Sequence, residues 1–283
     1  MDPETETAAL IALLRSGRSS PASLNIALEQ GSSARALLDA EQGLLAEAAV
    51  DEATAELRAW KDRGIRVLSV FDPGYPVHLK RTGNGPPVLF LAGHLLPADA
   101  SAVAVIGTRQ PTPGGRQTAR ALCRRLVGEG YTIVSGLAAG IDTVAHETTL
   151  DAGGRTVAVI GSGLDHFYPR ENAALQRRIG REGAVISQFW PESRPSRRSF
   201  PLRNELMAGL AEASVIVEAT AMSGTRILAR AAVGMNRAVV LLEALMEQPW
   251  ARELAERPGV EVAGSAAEVS AALQRSLVPQ ALV

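Results

Sequence analysis

The chain of 283 residues has one cysteine, Cys123, and therefore no internal disulfide; the thiol falls inside an expected helix and is assigned to the core. Its four histidines, His78, His94, His146 and His166, share no metal-ligand spacing and have no cysteine partner, so no metal and no cofactor are expected. No apolar stretch reaches the roughly 20 residues that a membrane-spanning helix needs. The opening MDPETETAAL is acidic, unlike a secretory leader, and the expectation is a cytoplasmic protein with no membrane partner. An excess of basic charge is also missing, because 29 Lys and Arg face 30 Asp and Glu. That balance argues against a generally basic nucleic-acid binder and still permits a local patch, since a phosphate responds to nearby charge. No internal repeat and no low-complexity tract is found.

What the chain does have is alternation. Apolar runs at 103–107 (VAVIG), 132–136 (TIVSG), 156–161 (TVAVIG), 184–187 (AVIS), 213–219 (ASVIVEA) and 238–244 (AVVLLEA) are separated by helix-period segments such as Arg116 to Val127. Strands and helices in this rhythm predict an α/β fold, a Rossmann-like doubly wound and mostly parallel sheet. Right-handed crossovers bring the turns after the strands to one rim, so Gly107, Gly136, Gly161 and the turn after Glu218 are expected to share a cleft. Before the sheet, residues 1–60 read as a small helical domain of the SAM or helix-hairpin-helix type, with serines in GRSSP (17–21) and GSS (31–33) as N-caps. Residues 61–100 read as a linker with two strand-like pieces, IRVLSV and PPVLFLAG, and residues 101–283 as the Rossmann-like domain. A last short strand and helix are expected over 259–274.

The richest stretch is 103–142, VAVIGTRQPTPGGRQTARALCRRLVGEGYTIVSGLAAGID. Gly107 and Gly136 each end an apolar run, where backbone can approach a ligand and the next helix N-terminus favours an anion. Thr108 lies beside Gly107, and Arg109 adds a planar cation suited to phosphate. Ser135, Gly136 and Gly140 fit either a phosphate contact or a plain tight turn. Asp142 is expected to brace its loop, Glu218 to brace the Ser223–Gly224 loop, and His146 to make a structural hydrogen bond. The segment SRPSRRSFPLRN (193–204) gathers Arg194, Arg197, Arg198 and Arg203 around Phe200, followed by Asn204. Cations interleaved with an aromatic suit a strand of unpaired nucleotides, although Phe200 could equally anchor in the core.

Taken together, VIGTR (105–109), SGLAAGID (135–142) with Ala145 and His146, GGRTVAVIGSGLDHFYPREN (153–172), FPLRN (200–204) and VIVEATAMSGT (215–225) resemble the DNA-processing protein A family, also called DprA or Smf. The resemblance covers about residues 60–235. It implies binding of single-stranded DNA, loading of a RecA-type recombinase during natural transformation, and a homodimer joined through the Rossmann domains. It also assigns DNA contact to the arginine at Arg109 and to the basic and aromatic pair at Arg197 and Phe200. The chain departs from the family at Glu205, where a basic residue is usual, at Gln188, where an acid is common, and in lacking a Pro-Gly turn after residue 244; these changes are expected on the ligand rim. For the dimer, the terminal helix around Val269, Ala272 and Leu273 and the apolar tail 277–283 offer surface, the other reading being that the helix only covers the edge of the sheet.

Other classes remain to be weighed. Nucleotide N-glycosidases of the lysine-decarboxylase-like group carry an acid three residues after a Gly-Thr pair, but here Gly224-Thr225 leads to the aliphatic Leu228. GSGLDH (161–166) begins like a dinucleotide fingerprint and ends in His, against an oxidoreductase. A sensor of free nucleotides would use the same crevice. A non-catalytic single-stranded DNA binder fits the residues best.

Overall fold

A computed structural model describes residues 2–83, 85–220 and 223–277. Helix α1 (Pro3–Ser16) begins with Pro at its first position, where a missing N–H costs nothing, and with the Asp2 carboxylate accepting the Glu4 amide. Helices α2 (Pro21–Glu29) and α3 (Ala34–Gln42) start on Ser20 and Ser33, whose hydroxyls accept the amides of Ser23 and Ala36 as the sequence led one to expect. Helix α4 (Ala46–Asp62) completes the N-terminal layer. The chain then runs through β1 (Arg66–Ser69), α5 (Val77–Arg81), β2 (Val88–Gly93), β3 (Ala102–Ile106), α6 (Pro113–Gly128), β4 (Thr132–Ser135), α7 (Ile141–Asp151), β5 (Thr156–Val159), α8 (Ala173–Glu182) and β6 (Ala184–Ser187). It ends with α9 (Ser199–Leu210), β7 (Ala213–Ile216), α10 (Thr225–Gly234), β8 (Ala238–Leu242), α11 (Pro249–Ala255), β9 (Val260–Ala263) and α12 (Ala266–Leu277).

The six apolar runs are β3 to β8. The strands form one sheet in the order β1-β2-β6-β5-β4-β3-β7-β8-β9. From β6 to β9 all pairs are parallel, while β1 and β2 join antiparallel, β2 against β6. The chain winds outward from β3 through β4 to β6, then returns to β7 on the other side of β3. The boundary between β3 and β7 is thus the topological switch point, the place where open α/β sheets take ligands.

Helices cover both faces. Leu122 and Leu126 of α6, Val144 of α7 and Val269 of α12 pack on Val105, Ile133 and Val240, and α9 to α11 cover the opposite face. The N-terminal helices share a core with the sheet: Leu10, Leu38 and Trp60 lie in one buried cluster with Phe90 and Val185, and Trp60 meets Phe90 edge-on at 5.2 Å. Cys123 is fully buried, as expected. The terminal helix does not offer the surface proposed for it, because Val269, Ala272 and Leu273 are at most 2% exposed and pack against α6 and the last strands. Their apolar character serves to cover the sheet, and the tail past Leu277 lies outside the described residues.

Candidate nucleic-acid interface

Strand β3 ends and Gly107 follows at the switch point. A Cβ there would sit 2.6 Å from the Ile141 side chain and 2.8 Å from the Glu218 carbonyl, so only glycine lets the two strand ends touch. The Thr108 amide donates to the Glu218 carbonyl at 2.7 Å, and the Ile141 amide donates to the Thr108 carbonyl at 3.2 Å. The Glu218 carboxylate turns the other way from expectation. It accepts from the Thr112 amide at 3.1 Å and the Thr112 hydroxyl at 3.0 Å, while Thr112 caps α6 by accepting the Gly115 amide at 3.0 Å. A side chain at position 115 would collide with this carboxylate, its Cβ falling 1.8 Å from Glu218 Oε2. Glu218 therefore braces the 108–112 loop across the switch point, not the Ser223–Gly224 loop. The positive end of α6 is already matched by an anion of the protein's own.

The loop fixed in this way holds Arg109 outward, exposed to solvent, with its guanidinium carbon 5.5 Å from the Phe200 ring centroid. Phe200, half-buried at the start of α9, lies over Gly161, where a Cβ would reach its ring at 2.9 Å. One helical turn on, Arg203 backs the same hollow. It is 5% exposed, its Nη1 stands 3.8 Å from Asp142 Oδ2, and its Nε and Nη1 have no hydrogen-bond partner among the described residues. Burial lowers the affinity of Arg203 for its proton, with Asp142 opposing. Burial also raises the Asp142 carboxyl above its ordinary value, against the pull of Arg203 and a hydrogen bond from the Ala138 amide. Asp142 is a brace, as expected. Asn204 closes the wall by donating to the Gly224 carbonyl at 3.1 Å.

The hollow measures about 370 Å³ and brings together six of the ten expected site residues: Gly107, Thr108, Arg109, Phe200, Arg203 and Asn204. Three others form its floor. The Ser135 hydroxyl is fully buried and donates to the Val105 carbonyl at 2.7 Å. Gly136 leaves space for the Arg203 guanidinium, and Gly140, at φ 88°, lets the Thr108 carbonyl pass where a Cβ would lie 2.3 Å away. These residues make a tight turn beneath the cleft. Arg197 is exposed on the loop before α9, outside the lining. His146, below the floor, is held as expected: Nδ1 lies 2.7 Å from Thr156 Oγ1, whose own proton goes to the Ile133 carbonyl, so Nδ1 is the donor. Burial drives its pKa down to about 3 and keeps it neutral.

Two findings lie beyond the sequence reading. Tyr168 stands 5.6 Å from Phe200 and is 44% exposed, a platform whose signal was the aromatic pair beside a cation in FYPR (167–170). Two of the departures expected on the rim are not there: Gln188 and Glu205 line a separate groove on the far side of α9. Leu228, where a glycosidase would carry its acid, is fully buried. The cleft's polar lining is Arg109, Arg203, Asn204, Thr108, Thr220 and the 223–225 turn, with one acid, Asp142, that faces Arg203, a set that suits an anion lying beside an aromatic face.

Among known proteins, DNA processing protein DprA of Bacillus subtilis (strain 168) is 35% identical over 196 residues, which are 69% of this chain and 66% of that protein. Protein Smf of Synechocystis sp. is 40% identical over 190 residues, 66% of this chain and 48% of the relative. The chain thus spans about half to two thirds of the length of these curated relatives. The crystal structure of DNA processing protein A from Streptococcus pneumoniae superposes with a TM-score of 0.75 at 30% identity, covering 93% of this chain and 96% of that one. The protein of the same name from Helicobacter pylori, whose structure concerns its single-stranded DNA binding mode, gives a TM-score of 0.66 at 28% identity and covers 75% of this chain and 96% of that one. The family described as DNA recombination-mediator protein A matches residues 66–259, spanning the lead-in strands, the switch point and every residue of the cleft. The chain belongs to the DNA recombination-mediator protein A family.

Proposed function

We propose that this protein binds single-stranded DNA in the β3–β7 cleft, without catalysis, and presents the strand to a RecA-type recombinase in the cytoplasm. One observation carries the reading: the exposed Arg109 guanidinium stands 5.5 Å from the ring centroid of the half-buried Phe200, at the mouth of a hollow that the buried Arg203 backs. A guanidinium offers a phosphodiester paired donors, and an aromatic face beside it suits an unpaired base. A non-catalytic role is supported by Glu218 being tied to Thr112 and by the aliphatic Leu228 standing where a glycosidase would need an acid. Because about 370 Å³ accommodates only a few nucleotides, useful affinity calls for two clefts on one strand, and a homodimer is the form in which we expect the protein to act.

The test is a fluorescence anisotropy titration with labelled oligothymidylates of increasing length, duplex DNA and free nucleotides, repeated over a salt series. Affinity is expected to rise with strand length, to be weaker for duplex, and to fall with salt by about 0.7 in the log–log slope per phosphate engaged. Arg109→Ala should reduce that slope by about 0.7 and weaken binding about tenfold for every sequence alike. Equal affinity for a mononucleotide and a long strand would instead identify a nucleotide sensor. Sedimentation of the bound complex reports the dimer.

A further inference from the structure

Tyr168 belongs to a loop that is firmly fastened. The Gly163 amide donates to the Ser193 carbonyl at 2.8 Å, the Asp165 amide to the Pro191 carbonyl at 3.0 Å, and Asn172 Nδ2 to the Leu137 carbonyl at 2.9 Å. The loop is also tied to α9, since the Ser199 hydroxyl donates to the Gly161 carbonyl beneath Phe200. A ring held in place by such a scaffold and still 44% exposed loses little conformational freedom when a ligand covers it. It meets Phe200 at 5.6 Å and a tilt of 45°, which leaves no room for a base between the two rings. Each ring instead offers its outer surface to a separate base.

The surroundings give a direction. Arg109 and Arg203 stand 5.5 and 6.0 Å from the centre of Phe200, on the inner side. Phe167, the residue before Tyr168, carries the exposed Arg177 guanidinium 4.3 Å from its ring centroid. Asp165, an acid of the same loop, is neutralised by an ion pair with Arg63. Cations beside aromatic rings, at Phe200 and again at Phe167 with the exposed Tyr168 next to both, are the groups that phosphates and unpaired bases engage. We propose that Tyr168 is a second base-stacking platform, and that a bound strand leaves the cleft over Phe200 and Tyr168 toward Arg177. This rests on the cleft being a single-stranded DNA site, and it extends that site by at least one nucleotide in a defined direction.

Two measurements test it. In the first, Tyr168→Ala, Tyr168→Phe and Arg109→Ala are titrated with a mononucleotide and with an oligothymidylate across a salt series. Loss of one stacked base corresponds to about 1–3 kcal/mol, so Tyr168→Ala should weaken oligonucleotide binding roughly fivefold to a hundredfold. It should leave mononucleotide binding and the salt slope unchanged, and Tyr168→Phe should retain affinity because the ring does the stacking. In the second, the unaltered protein is photo-crosslinked to oligonucleotides carrying 5-iododeoxyuridine at successive positions, and the adducts are mapped. Adducts at Phe200 and Tyr168 from adjacent positions are expected. If Arg109→Ala weakens binding about tenfold while Tyr168→Ala has no effect and no adduct forms at Tyr168, the second platform is refuted and the cleft stands as a DNA site. If the unaltered protein binds no single-stranded DNA, both are refuted.

Discussion

Helix α9 divides two hollows of opposite character. Toward the switch point it presents Phe200, Arg203, Asn204 and Met207, and toward the other side Leu202, Glu205, Leu206 and Gly209. Each set follows the spacing i, i+3, i+4, i+7, and the two are offset by two residues. The first hollow is small and polar, with a buried ion pair at its back. The second, about 800 Å³, runs between the N-terminal helices and the sheet and is walled mostly by apolar groups such as Leu14, Phe90 and Met235. Neighbours in sequence therefore act in different places. Glu205 follows Asn204 directly but is turned roughly 100° around the helix, away from the cations.

The comparison breaks most visibly at Arg203. Arg203→Met leaves the Asp142 carboxylate buried without its counter-charge, which should destabilise the fold by about 3–5 kcal/mol in denaturant unfolding and abolish binding in the cleft. The deficit should depend on pH with a definite sign. The Asp142 carboxyl already sits above its ordinary value, and removing the guanidinium raises it further, so the ionised form is the one that suffers. The deficit relative to the unaltered protein is then full near neutrality and shrinks on acidification as Asp142 takes up a proton. A deficit that stayed constant on acidification would show that Asp142 is not its source.

A smaller effect is expected at Glu218. Glu218→Ala removes the acceptor shared by the Thr112 amide and hydroxyl, at a cost of about 1–2 kcal/mol in unfolding free energy. Loosening the 108–112 loop should also weaken oligonucleotide binding several-fold, because Arg109 loses its fixed position. Unaltered binding in this variant would separate the brace from the DNA contact. The smallest effect belongs to the far side of α9. Glu205→Arg should change stability by no more than about 0.5 kcal/mol and leave DNA affinity within about twofold at moderate salt. A tenfold gain at the same salt would show that the two hollows share a ligand.

The parallel sheet was legible because six buried strands leave unbroken apolar runs, and the serine caps were legible because a hydroxyl before a helix has a local purpose. The antiparallel β1 and β2 were read as lead-in strands, but that they extend the same sheet, against β6, is a matter of topology that a local pattern does not carry. Helix α6 begins at Pro113, ahead of the expected Arg116, since PTPGG looks like a turn until Thr112 is seen as its cap. Glu218 was tied to the wrong loop because its partner lies 106 positions earlier in the chain. Separation along the chain likewise hid the depth of Arg203, whose guanidinium occupies the space left by Gly136. In the cleft, residue types were readable and exposure was not: Arg109 and Arg203 look alike in sequence, one at the surface and one in the interior.

The missing side chain at Gly115 bears on what this protein ignores. A nucleotide-binding sheet commonly leaves the helix after its first parallel strand open to a pyrophosphate. Here the Glu218 carboxylate occupies the head of α6, tethered and always present, in a space that a methyl group at residue 115 would fill. Orthophosphate and metabolites bearing a single phosphoryl group must displace it to gain that foothold, and they bring no second contact in exchange. That helix end is satisfied from within the protein, and on the reading proposed above the phosphates of a bound strand meet the side chain of Arg109 instead.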